Sequence, residues 1–328
     1  MWLLNTSTLK LEWFVDERAT RYAILSHTWG EGEVTFQDIQ GSHPSSKQGY
    51  RKIQQTCEQA RKQSYDYCWI DTCCINKESS AELSEAINSM FAWYAASGIC
   101  YVLLEDFRTG PCNEPAEVRA RLTQHIPPRW FSRGWTLQEL IAPRQVVFFD
   151  DEWHELGSRH RLSSLLADVT NIDEDVLTGV DRDLSSHSVA AKMSWASYRE
   201  TTRREDRAYS LLGIFGINMP LLYGEGDHAF QRLQEEIIRR STDQSILAWQ
   251  CRGNPRDVCA LLAPSPDYFE SMSRVVRWPY GPNSSSQLTN HALEIELPVL
   301  NLAGNNYYAI LNCHYKDDLT GKQVRGFG

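Results

Sequence analysis

The sequence predicts an α/β protein: a parallel sheet with helices on both faces, followed by a helical region and a small β-rich unit. Three observations predict it. Short apolar runs alternate with segments of helical period in the first half; each run ends in a polar stretch; and beyond residue 150 the alternation gives way to helical periodicity, then to short strands.

Tyr22 to Ser26 (YAILS) is the first apolar run and ends in the polar, glycine-containing HTWGEGE, which predicts a buried strand delivering a loop. From Tyr50, the residues Ile53, Cys57, Ala60 and Ser64 recur at steps of three and four, the period of one helix face. A second strand follows at Tyr67 to Asp71 (YCWID), ending in TCCINKE. Ser79 and Glu82 then form a capping-box pattern that opens a helix, with Leu83, Ile87, Met90, Phe91 and Tyr94 as its apolar stripe. Ile99 to Leu104 is a third strand with Glu105 and Asp106 at its end. Gly134 to Ile141 reads as a helix stopped before Pro143, and Gln145 to Phe149 as a fourth strand. Strand and helix in strict alternation imply parallel strands with right-handed crossovers, and ligands then bind at the carboxyl ends of the strands.

Three domains are expected: 1–150 as the α/β domain, 151–245 as a helical extension, and 246–328 as a β-rich unit. Ser188 to Glu200, Asp206 to Phe215 and Asp227 to Arg240 read as helices, and ILAWQC, VVRWPY, LEIELPVL and YYAILNC as strands between Pro, Gly, Asn and Ser clusters. The chain stops at LTGKQVRGFG soon after a strand, so the expectation is a piece of something longer.

Composition narrows the function classes. At 328 residues, 42% hydrophobic and 23% charged, the chain is globular and large enough for more than one core. A net charge of −9 argues against a protein that grips nucleic acid or an anionic membrane by general electrostatics. The basic clusters at Arg203, Arg204 and Arg207 and at Arg239 and Arg240 are interleaved with carboxylates, which reads as solvated helix faces. No apolar run is long enough to span a bilayer, and nine cysteines without a repeating framework fit reduced thiols, so a cytoplasmic location is expected. Cys68, Cys73 and Cys74 lack the paired spacing of a structural zinc site, and no metal is expected. Gly30 and Gly32 have no third glycine at the spacing of a dinucleotide fingerprint, which disfavours a dehydrogenase.

The blocks YAILSHTWGEGEVTFQDI, YCWIDTCCINKESSAELSEAINSMFAWYAASGICYVLLED and RWFSRGWTLQELIAP resemble the three signature blocks of the fungal heterokaryon incompatibility (HET) domain. The later segments from SWASYRE to FQRLQEEI, and LLAPSP, resemble an extension that often follows it. That family is associated with vegetative incompatibility, so the resemblance implies a cell-death effector. HET domains are in turn similar to TIR domains, which are flavodoxin-like, and Trp135 to Leu140 (WTLQEL) resembles the W-C-x-x-E-L block of NAD-cleaving TIR domains, with Thr136 in place of the cysteine. The resemblance places Glu139 on the catalytic glutamate and makes NAD a substrate rather than a cofactor.

The chemistry is coherent. Cleaving the nicotinamide–ribose bond passes through an oxocarbenium-like centre that one carboxylate stabilises, and nicotinamide leaves from a cationic ring without needing a proton. Trp135, four residues before Glu139, lies on the same helix face, against ligand or in the core. Ser26, His27, Thr28, Trp29 and Gly30 would offer hydroxyl, imidazole, backbone and aromatic contacts to a nucleotide, and Asp71 a further contact at its strand end. A nucleophilic Cys73 or Cys74 with His27 is chemically allowed; buried apolar cysteine is the blander reading. Two functions stand. One is an NAD glycohydrolase switched on by self-association, under a regulatory partner protein; the other is a non-enzymatic adaptor acting by homotypic assembly.

Overall fold

The computed structural model describes residues 1–109, 115–124, 127–181, 183–251, 260–278, 286–289, 292–302 and 306–316. Cys112, Cys259 and the terminal LTGKQVRGFG therefore lie outside the described residues. The chain divides into two compact units: Met1–Thr170 with Glu174–Val180 and Asn218–Leu221, and Asn171–Asp173 with Asp181–Ile217 and Leu222–Gly328. The first runs past residue 150, and the helical and β-rich regions share the second.

The first unit is built on β1 (Trp2–Asn5), β2 (Leu11–Trp13), β3 (Tyr22–His27), β4 (Tyr67–Trp69), β5 (Ile99–Leu104), β6 (Val146–Asp150) and β7 (Glu155–Ser158). They form one sheet in the order β2-β1-β4-β3-β5-β6-β7. The four strands expected from the sequence, β3, β4, β5 and β6, are parallel and lie in its middle. Numbered by their own succession, their order is 2-1-3-4, the flavodoxin arrangement. Every residue of β3 and β5 is buried, which is why both read as unbroken apolar runs. The alternation did not reveal the antiparallel edges: β1 pairs with β2 and β4, and β7 pairs with β6. Those strands are three or four residues long, too short to show a period.

Helices of this unit are α1 (Phe36–Gln40), α2 (Tyr50–Lys62), α3 (Ser80–Ala96), α4 (Pro115–Gln124), α5 (Arg129–Ser132), α6 (Thr136–Ile141), α7 (Ser163–Thr170) and α8 (Glu174–Thr178). α2 buries Ile53, Cys57 and Ala60, as its spacing predicts. Ser79 caps α3 by accepting the Glu82 N–H, and the helix buries Ile87, Met90 and Tyr94 together with Ala86 and Trp93. Leu83 and Phe91 are only half-buried. Side-chain contacts assign the faces. Tyr22 Oη donates to the carbonyl of Trp93 on α3 at 2.6 Å, whereas Tyr101 Oη donates to Gln63 at the end of α2 at 3.0 Å, and Cys68 Sγ lies 3.5 Å from Cys57 Sγ on α2. Helices thus cover both faces. β4 stops at Trp69, two residues early, because the Ile70 carbonyl turns to accept the N–H groups of Cys73 and Cys74.

The second unit holds α9 (Val189–Ser194), α10 (Asp206–Tyr209), α11 (Leu212–Phe215) and α12 (His228–Arg240), then β8 (Val275–Arg277), β9 (Ser286–Leu288), β10 (Leu293–Ile295), β11 (Val299–Leu302), β12 (Asn306–Ala309) and β13 (Cys313–Tyr315). These strands form three antiparallel two-stranded pairs, β9 with β10, β11 with β12 and β8 with β13. The helix expected over Ser188 to Glu200 ends at Ser194. There the hydroxyls of Ser194 and Ser197 bond back to the carbonyls of Ala191 and Ser194, each at 2.7 Å, and compete with the helical ladder. The stretch Asp206 to Phe215 breaks in two at Ser210. The turn before α12 is structural: Glu205 accepts the N–H groups of Gly224 and Gly226, both left-handed, and Glu225 is held by Tyr209 and Arg232. Cys251 is disulfide-bonded, a departure from wholly reduced thiols, while Cys57, Cys68, Cys73, Cys74, Cys100 and Cys313 are free. Among the described residues no helix is long and apolar enough to cross a membrane.

Gly98, whose N–H bonds the Tyr22 carbonyl at the entrance to β5, illustrates how tightly the centre is packed. A Cβ there would lie 2.5 Å from the Tyr65 ring. Gly98→Ala is expected to destabilise the protein by about 1–3 kcal/mol in denaturant unfolding, the cost of overpacking, whereas Gly30→Ala, whose Cβ meets nothing closer than Glu33 at 3.8 Å, leaves stability nearly unchanged.

Candidate functional site

Consecutive residues of β3 point to opposite faces of the sheet, so Ser26 and His27 enter different environments. On the face covered by α5 and α6, Ser26 Oγ donates to Glu139 Oε2 at 2.5 Å and accepts the Trp130 indole N–H at 2.8 Å. The local chain builds this contact. Thr136, at the first position of α6, bonds the Trp130 carbonyl and so ties α6 to α5. Glu139 is 7% exposed and Ser26 fully buried. Burial pushes the Glu139 carboxyl up to about 8, with the Asp71 charge adding to the rise and the Ser26 and Tyr94 hydroxyls and Arg133 pulling it back.

His27 sits on the other face, also buried, with both ring nitrogens lacking a hydrogen-bond partner among the described residues. Nδ1 is 3.8 Å from Asp71 Oδ1 and Nε2 3.8 Å from Glu33 Oε1. Burial, then the charges of Lys52, Lys77 and Arg133, hold the imidazole well below its ordinary value, so it is neutral at physiological pH. Asp71 accepts the Trp29 indole N–H at 2.6 Å, and the Lys77 ammonium lies 3.3 Å from the Trp29 ring centroid. Asp71 Oδ1 and Thr72 Oγ1 are likewise unpartnered. Burial raises the Asp71 carboxyl. Buried polar atoms are ordinarily hydrogen-bonded, so unfilled capacity of this density at the end of a central strand makes this group the candidate site.

Beside it opens a cleft of about 390 Å³ at the carboxyl ends of β3, β5 and β6. This is the switch point of the 2-1-3-4 order, where crevices form. Thr28, Trp29 and Gly30 line one wall; Glu105, Asp106 and Trp153 line another. Lys52, 8% exposed, bridges Glu33 at 2.6 Å and Glu105 at 2.8 Å. Burial raises the Glu105 carboxyl while Lys52 opposes the rise.

The structure therefore distributes the expected residues over three places. Ser26 and Glu139 pair beneath the surface, Trp29, His27 and Asp71 gather over the end of β3, and Thr28, Trp29 and Gly30 reach the cleft. Trp135 is half-buried at the start of α6. Glu139 is not among the residues lining the cleft. Cys73 and Cys74 are buried, and the neighbouring Cys74 together with burial drives the Cys73 thiol well up, the reverse of an activated nucleophile. Lys52, Lys77, Glu33 and Trp153 were missed by sequence reasoning. Glu105, at the end of a predicted strand, was the signal present for this group.

Because Glu139 keeps its proton in the folded state up to about pH 8 but loses it near 4.5 when unfolded, it lowers stability progressively as pH rises between those values. Glu139→Gln removes that slope. Unfolding measured at pH 5 and pH 8 is expected to show the variant gaining on wild type by on the order of 3 kcal/mol across the interval. Parallel pH profiles for the two proteins would refute it.

Residues 22–115 match the heterokaryon incompatibility protein (HET) family, and residues 228–267 match a domain of unknown function, DUF8212. The chain is 47% identical over 219 residues to the vegetative incompatibility protein HET-E-1 of Podospora anserina, a match taking in 66% of this chain and 16% of that protein. It thus spans a small part of that relative's length. No solved structure matches the chain significantly. The parallel strands β3, β4 and β5 and the polar residues at their ends fall inside the segment, residues 22–115, that matches the heterokaryon incompatibility family.

Proposed function

We propose that the protein is a fungal incompatibility effector of cell death, and that it acts by cleaving the nicotinamide–ribose bond of NAD after self-association. The family match and the likeness to a vegetative incompatibility protein support the first part. One observation supports the second: Glu139 is gripped by Ser26 at the carboxyl end of the central strand, and at the ends of that strand and its neighbour, His27, Asp71 and Thr72 carry buried polar atoms without a hydrogen-bond partner among the described residues. In the reaction the carboxylate faces the developing oxocarbenium centre, and the positive charge of the bound nicotinamide ring draws the Glu139 proton off. Nicotinamide departs as the neutral base with the electrons of the broken bond, water adds to the ribose in its place, and the proton that the water gives up restores the one Glu139 had lost to solvent.

The buried state of Glu139 fits a protein held off until assembly. Trp29 is fixed to Asp71 and lies under the Lys77 ammonium, and in this reading self-association shifts this group. A second reading, a non-enzymatic adaptor that works by homotypic docking, is favoured by the same closure, since a carboxylate 7% exposed meets no ligand.

Chromatography of concentrated protein incubated with NAD separates the two. Wild type is expected to release nicotinamide and Glu139→Ala to lose at least about a hundredfold of that rate, the usual scale for removing a charge that acts in the transition state. No release by either protein, with both folded and assembled, would transfer the function to docking.

A further inference from the structure

The cleft on the α2 side of the sheet does not include Glu139, and besides Thr28, Trp29 and Gly30 its walls carry Arg51, Glu105, Arg129 and Trp153, which neither reading uses. Two indoles stand in it. Trp29 is 41% exposed, and Trp153, at φ 64°, occupies a left-handed conformation that bulky residues avoid. The Trp153 ring is braced 5.4 Å from Phe149 and 6.5 Å from Tyr101. Between them, Glu105 gives one oxygen to Lys52 and leaves the other with only a distant donor, Thr28 at 3.5 Å. Of the other acids in the lining, Glu33 is engaged by Lys52 and the Gly30 N–H, Asp106 by the Arg129 N–H, and Asp151 by Nε and Nη2 of Arg108. Arg51 and Arg129 also line the cleft, both exposed, and neither guanidinium has an ion-pair partner among the described residues.

We infer that this cleft binds a nucleoside 5′-monophosphate, its base against the tryptophans, its ribose hydroxyls on Glu105 and its phosphate at the Arg51 and Arg129 guanidinia. A flat ring is what two indoles select, and a vicinal diol is what a carboxylate with a free acceptor selects. Guanidinium groups suit a phosphate. The acids around the floor, Glu31, Glu33 and Glu105 among them, oppose a chain of further phosphates, so the ligand carries few. The position agrees, because the cleft lies at the switch point of a flavodoxin-order sheet. The inference is independent of any catalytic role for Glu139, which projects from the opposite face.

Calorimetry with the full chain tests it, with AMP as the probe and adenosine and ATP for comparison. AMP is expected to bind, ATP to bind no more tightly, and the double variant Arg51→Ala, Arg129→Ala to lose about tenfold or more for AMP while adenosine is unaffected, since charged hydrogen bonds of this kind contribute at that scale. Glu105→Gln is expected to weaken adenosine and AMP alike, and Glu139→Gln to leave both unchanged. Absence of AMP binding by folded wild type at millimolar concentration would overturn the proposal. So would AMP affinity that is lost on Glu139→Gln but survives the arginine and Glu105 variants, an outcome that leaves the catalytic reading standing.

Discussion

A β-strand sends successive side chains to opposite faces, and at the end of β3 this divides the polar residues of the domain between two environments. Ser26 turns toward α5 and α6 and meets Glu139; His27 turns toward α2 and meets Glu33 and Asp71. Each face can hold such groups because β3 and β5 are buried along their whole length, which removes water from both sides of the strand ends. The shifts at Glu139, Asp71, Glu105 and His27 have this common origin, with desolvation the largest cause in each.

The two faces handle charge differently. On the α2 side the buried Lys52 ammonium is paired with two carboxylates, Glu33 and Glu105. On the α6 side Glu139 has only neutral donors in direct contact, and the Asp71 charge nearby makes ionisation harder still. A carboxyl in that setting is a neutral hydrogen-bonding group at rest and becomes an anion only when its surroundings change.

Much of the centre was legible. Four parallel strands, their helices and the Ser79 cap followed from apolar period and turn chemistry, because buried parallel strands and amphipathic helices leave strong patterns. The edges were not, since β1, β2 and β7 are too short to carry a period. In the second unit, serine hydroxyls that bond back onto the backbone cut helices that hydrophobic spacing alone would have continued. The candidate site was half legible. Ser26 to Gly30 was read as one loop facing one ligand, whereas His27 completes β3 and the strand's alternation splits the set. Lys52 was invisible because a lone lysine in a helix reads as surface, and only the arrival of Glu33 and Glu105 from other segments makes its burial tolerable.

The short segment Asn218–Leu221 belongs to the first unit, where the Met219 N–H bonds Asn88 on α3, although the chain on either side of it belongs to the second. The polypeptide passes between the units repeatedly, so neither is one continuous stretch. A single protease cut cannot release either intact. The same threading limits how such a domain is shuffled among genes: a fragment exchanged at residue 170 would leave behind a piece of its own fold, so recombination that preserves the first unit must carry residues through at least Leu221, and by doing so it divides the second.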